Sequence, residues 1–242
     1  MTFEELNAEM KVLLESENFE QAKNLWKQEE SNIASFDESQ KYMIYEKIMI
    51  CQYKNGFYEE SLRINKGLES MTFLGDQYVL TANLWRVNIE LAQKKYSRAM
   101  YSANMLILRL PEEEIYAQRL KSETNNIMLR IYIESGKYAR MKKLFRKMLR
   151  ENLDEHSKSK MLMNVGVAYY SLGKYDASIK LFLHILTITE DCFFVGCANL
   201  YLARMFLGEQ KKRFYIKAIE NFQKIKNEHM LSICEQEING IF

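Results

Sequence analysis

A ladder of aromatic residues at near-regular intervals constrains this chain of 242 residues more than any other feature. Phe19, Tyr58, Tyr96, Tyr138 and Tyr175 step by 39, 38, 42 and 37 residues. Each is followed at helical spacing by further small, apolar or aromatic positions: Ala22 and Trp26, Ser61, Ala99 and Ala103, Met141 and Phe145, and Ser178 and Phe182. Self-similarity at this period marks a stacked architecture, in which each unit buries its apolar face only against the next. One proline and nine glycines punctuate the whole chain. That scarcity favours long helices joined by short turns, because both residues break helices and many short strands need more of them.

The fullest unit reads NVGVAYYSLGKYDASIKLFLHI over residues 164–185. Its Gly166, Tyr169, Gly173, Tyr175, Ser178 and Phe182 resemble the tetratricopeptide signature. In that signature a small residue and an aromatic sit on helix A, a glycine makes the turn, and an aromatic, a small residue and a second aromatic follow on helix B. Here Ser178 stands at the alanine position and Glu190 at the terminal proline position. Tyr132, Gly136, Tyr138 and Phe145 repeat the frame with Met141 at the small position, and Gly56 precedes Tyr58 in the same way. A sixth unit restarts at Asn199, where Ala203, Leu207 and Gly208 echo Ala168, Leu172 and Gly173. The segment EQKKRFY then precedes Ala218 and Phe222, which predicts a longer turn.

The resemblance implies an all-α fold, a right-handed superhelix (solenoid) of about six tetratricopeptide-like helical hairpins. A single domain over 1–242 is expected, with units near 1–34, 37–72, 76–110, 113–152, 155–190 and 193–242. Ser35 with Glu38 has capping-box spacing, and Pro111 followed by Glu112, Glu113 and Glu114 places a proline and acids in a first turn. The last unit, ending in Ile241 and Phe242, is expected to cap the stack or to pack into a homodimer partner.

Several function classes find no support. Net charge is +2 with acids and bases interspersed, which supplies no large field for a phosphate backbone or an anionic membrane. The first repeat aromatic appears at Phe19, leaving no room ahead of it for a DNA-reading helix-turn-helix. Cys51, Cys192, Cys197 and Cys234 lie in apolar helical patterns, with spacing unsuited to zinc. His156, His184 and His229 lack a neighbouring nucleophile and orienting carboxylate. No glycine-rich phosphate loop occurs. Neither a catalytic residue nor a metal or cofactor is therefore expected. The opening MTFEEL is no signal peptide, and no stretch reaches ~18 uninterrupted apolar residues, so the expected location is the cytoplasm.

In such a stack helix A lines the inner wall. Units two to six offer Glu46 and Tyr53; Leu84 and Asn88; Asn126 and Arg130; Met163, Val167 and Tyr170; and Ala198 with Leu202. Asn164 and Asn199 stand one step from the wall, at matching places in successive units. Asparagine is a poor helix residue, yet its amide both donates to and accepts from one peptide unit of a bound chain. Asn88, Asn126, Asn164 and Asn199 are thus candidate peptide clamps, with Tyr170 beside them and Arg130 for a carboxylate.

The loose repeats, the wall asparagines and the late insertion leading into FYIKAIENFQKIKNEHML resemble the repeat domains of Gram-positive peptide-pheromone receptors, nearest the arbitrium receptors of temperate Bacillus phages. The resemblance implies a short secreted peptide, re-imported and bound within the superhelix, that alters a regulatory output through a partner protein. This chain shows neither the N-terminal DNA-binding domain nor the helical bundle common in that family. It could equally be the sensing half of a transcription regulator, or an adaptor or chaperone scaffold holding an extended segment of a partner.

Overall fold

In the computed structural model, which describes residues 1–112 and 114–239, the described residues form thirteen α-helices, one short 3-10 helix at Thr72–Leu74, and no strand. The expectations placed on Glu113, Ile241 and Phe242 fall outside the described residues. The helices run α1 (Phe3–Glu15), α2 (Phe19–Ile33), α3 (Glu38–Lys54), α4 (Tyr58–Ser70), α5 (Asp76–Ala92), α6 (Tyr96–Arg109), α7 (Ile115–Glu134), α8 (Tyr138–Met148), α9 (Glu155–Ser171), α10 (Tyr175–Ile188), α11 (Cys192–Met205), α12 (Gly208–Lys224) and α13 (Glu228–Asn239). They divide into two compact units, Met1–Ile127 and Met128–Phe242.

One turn recurs. Asn18, Phe57, Lys95, Lys137, Lys174 and Asn227 each donate a backbone N–H to the carbonyl five residues earlier, over 2.8–3.0 Å. The residue before each lies in the left-handed region, with φ between 52° and 79°. This is the Schellman geometry, which satisfies the last carbonyls of one helix and reverses the chain into the next. Glycine occupies that site at Gly56, Gly136 and Gly173, whereas Glu17, Lys94 and Lys226 adopt it with a side chain. The aromatic ladder sits immediately after the turn, opening helix B each time.

Helix-A starts use another device. Thr2, Asp37 and Asp154 accept from the backbone N–H three residues on, and Asp191 from those of Phe193 and Phe194. The second cap corrects a sequence expectation: Asp37 with Gln40 forms the capping box, while the Ser35 hydroxyl donates back to Asn32 O at 2.6 Å. Likewise Pro111 and Glu112 precede α7, which begins at Ile115, so they do not form its first turn.

Between paired helices the small positions behave as the repeat requires. Ala22, Ser61, Ala99, Met141 and Ser178, each three residues past a ladder aromatic, are all 0% exposed. Ser61 and Ser178 each donate to a carbonyl twelve residues back, Met49 O at 3.0 Å and Gly166 O at 2.8 Å. A Cβ on Gly166 would meet the Phe182 ring at 3.0 Å. The core of residues 128–242 grows around that contact, with Leu129, Phe145, Met161, Val165 and Leu202.

The sixth unit departs from expectation. No long turn forms: α11 ends at Met205, Phe206 and Leu207 are extended, and EQKKRFY continues as helix within α12. Glu, Gln, Lys and Arg are strong helix formers, so the inserted residues lengthen the helix instead of looping out. Gly196 on α11 then abuts Phe222 on α12, and the Schellman turn reappears only between α12 and α13. Nearby, burial pushes the Cys197 and Cys234 thiols up to about 12 and about 11, and that of Cys51 in the other unit up to about 11, while Cys192 is half-buried.

Two substitutions test this packing. A methyl group at Gly196 would lie 2.7 Å from Phe222, so Gly196→Ala is expected to destabilise the fold by ~1–3 kcal/mol in urea unfolding. Lys94→Gly relieves a left-handed side chain (φ 57°) and should raise stability by up to ~1 kcal/mol.

Candidate functional site

Within residues 128–242, α9, α11 and α13 carry a continuous polar and aromatic cluster. Tyr170 on α9 meets Tyr201 on α11 edge to face, with ring centres 5.3 Å apart. Tyr201 also stacks on Phe182 at 5.0 Å, with planes 10° apart. The Arg204 guanidinium lies 4.8 Å from the centre of the Tyr201 ring. Arg204 Nε donates to Glu237 Oε2 at 3.0 Å and its Nη2 to Oε1 at 2.5 Å, while the Tyr215 hydroxyl donates to the same carboxylate at 2.8 Å. Such a two-toothed pair is geometrically specific as well as strong. It holds the Glu237 carboxyl below its usual range and the Arg204 guanidinium above its own.

The sequence-derived asparagines divide by what their amides do. Asn88 donates Nδ2–H to Leu84 O at 3.2 Å, Asn126 to Ser122 O at 3.3 Å and Asn199 to Val195 O at 2.8 Å. Asn83, Asn104 and Asn221 make the same bond to the carbonyl four residues back. This local bond is how a helix interior tolerates asparagine. Asn126 and Asn199 are moreover buried, at 0% and 2% exposure, whereas Asn88 is half-buried. Asn164 differs: it is half-buried, and its Nδ2 is shielded from solvent with no hydrogen-bond partner. Arg130 is half-exposed and pairs with its i+4 neighbour Glu134 at 3.6 Å.

The predicted site residues are divided between the two units. Asn88 and Asn126 belong to Met1–Ile127; Arg130, Asn164, Tyr170 and Asn199 belong to Met128–Phe242. In the first unit the wall residues Glu46 and Tyr53 converge on Trp85, whose indole N–H donates to Glu46 Oε1 at 3.2 Å and whose ring lies 5.9 Å from that of Tyr53. Burial pushes the Glu46 carboxyl up. Tyr201, Arg204 and Glu237 are absent from the sequence reading. Arg204 and Glu237 lie 33 residues apart, and nothing local marks them as partners.

Among the described residues no three His, Cys, Asp or Glu side chains converge as metal ligands, and no helix is long and apolar enough to cross a membrane. His156, His184 and His229 are all exposed.

These elements define an all-α, tetratricopeptide-like protein of successive helical hairpins. Among solved structures the chain is similar to the apo form of the quorum sensor NprR from B. thuringiensis, with a TM-score of 0.66 at 15% sequence identity over 97% of this chain and 70% of that one. No family model matches the sequence, and neither does any curated protein.

Because the Glu237 carboxyl is depressed mainly by Arg204, the pair stabilises the fold at neutral pH, and that contribution is lost as pH falls through the depressed value. Glu237→Gln should therefore lower Tm at pH 7, and its deficit should shrink as pH falls below the ordinary carboxylate range, where the native carboxyl also protonates. Thermal unfolding of both proteins from pH 3 to 7 measures this.

Proposed function

We propose that the chain is a non-enzymatic peptide-binding repeat protein that senses a short signalling peptide in the cytoplasm and passes the signal to a regulatory partner. The observation that carries the reading is the Asn164 amide. Its N–H group is withdrawn from water without a partner, at a cost of about 1–3 kcal/mol that a ligand carbonyl would relieve once a side-chain movement uncovers it. Asn88, Asn104 and Asn199 satisfy the same group locally, and Asn125, whose Nδ2 is also shielded without a partner, lies in the other unit, Met1–Ile127.

The surroundings suit an extended peptide. Tyr170 and Tyr201 offer an aromatic shelf, and aromatic rings bury large area while losing little side-chain freedom. Arg130, weakly engaged by Glu134, is available to a ligand carboxylate. The fold likeness to a quorum sensor supports the same reading.

The test is thermal unfolding of the chain with fractionated peptides of about five to ten residues from the culture medium of the producing cell. A ligand at ~100 times its Kd should add about 2.7 kcal/mol. Asn164→Ala is expected to leave the free chain as stable or more so, because it removes an unsatisfied group, yet to weaken peptide binding by ~1–3 kcal/mol. Asn104→Ala, which removes only a bond to Met100 O, should leave binding unchanged. No shift with any fraction would overturn peptide sensing in favour of an adaptor that holds a partner's tail.

A further inference from the structure

The overall net charge of +2 conceals a strong asymmetry. Residues 1–127 hold 15 Lys and Arg against 20 Asp and Glu, while residues 128–242 hold 19 against 12. Much of the excess gathers on α8. Arg140, Lys142, Lys143, Arg146, Lys147 and Arg150 border a cleft of about 1100 Å³, with Glu151 as its one acid. Among the described residues the cleft's ion pair is Lys147 with Glu151, at 4.0 Å.

Basic residues in a last helical turn complement the helix dipole, and that accounts for Arg146 and Lys147. It does not account for Arg140, Lys142 and Lys143, which lie in the first half of α8. The floor is apolar, formed by Leu144 on α8 with Met128 and Tyr132 on α7, while Met141, Phe145 and Met148 anchor the opposite side of α8 in the core. A cleft this large exceeds the roughly 300–1,000 Å³ usual for small ligands. Arg140, Lys143 and Lys147 fall at i, i+3 and i+7, a stripe about 10 Å long. Carboxylates at the same helical spacing on a second helix would match it.

We propose that this cleft docks an acidic amphipathic helix of a partner protein, its carboxylates against Arg140, Lys143 and Lys147 and its apolar stripe over Leu144, Met128 and Tyr132. Charge complementarity selects the acidic face and the apolar floor selects the amphipathic one. A phosphate backbone would satisfy the cations alone, leaving the floor without a partner.

The test uses the full chain and a fluorescent synthetic 14-residue helix with Glu at every third or fourth position and Leu on the adjacent stripe. Anisotropy titrations compare it with the same peptide carrying Gln for Glu and with a dT14 oligonucleotide, at low and high salt. The acidic peptide should bind at least tenfold more tightly than either competitor, weaken with salt, and lose at least tenfold with Arg140→Glu/Lys143→Glu/Lys147→Glu. Should that variant melt early, Arg140→Gln/Lys143→Gln keeps the comparison, and the two peptides decide the matter on the native chain. Equal binding of the Gln peptide, tighter binding of dT14, indifference to these substitutions, or salt-sensitive self-association of the chain through this face would each overturn the proposal.

Discussion

Everything in this chain depends on a tight reversal at the end of a helix. A left-handed residue lets one backbone N–H reach back five residues, and the helix that follows must then run antiparallel beside the one just finished. From that geometry the rest follows: the residue after the turn faces the partner helix, the one three further on is enclosed between the two, and only a small side chain or a flexible one such as Met141 fits there. Where the sequence supplies glycine the reversal is free of strain. At Glu17, Lys94 and Lys226 the surrounding packing holds a side chain in the same conformation.

This coupling explains which parts of the fold were legible. Phe19, Tyr58, Tyr96, Tyr138 and Tyr175 announce the hairpins because the turn fixes their place relative to it, so a local geometric rule becomes a long-range period. Gly166, Ser178 and Phe182 were readable for the same reason: each touches another member of the set. The sixth unit was not. Its Gly208 imitates Gly173 in sequence and in left-handed backbone, yet Phe206 and Leu207 are extended ahead of it, and the inserted residues prefer helix to loop. A motif match carries no information about how far the following helix extends.

The candidate site was read less well, and the reason is chemical. Asparagine was expected to reach outward because its amide is costly inside a helix, but a carbonyl four residues back takes the Nδ2–H of Asn88, Asn126 and Asn199 without any ligand. Composition cannot separate those residues from Asn164; only the absence of that bond does. Arg204 and Glu237 illustrate the opposite failure: charged residues on helices are ordinarily solvated, and only the folding of α13 against α11 and α12 turns this pair into a bidentate clasp. The cations of α8 went unremarked in the sequence, because their shared cleft with Met128 and Tyr132 belongs to the pairing of two helices.

The distribution of the four thiols has a practical side. Cys51, Cys197 and Cys234 are enclosed and held protonated by burial, whereas Cys192, the first residue of α11, is only half-buried. Alkylating dyes react with the accessible thiolate, so the native chain offers a nearly single attachment point at the foot of the helix that carries Tyr201 and Arg204. A fluorophore placed there would report on α11 in the unaltered protein.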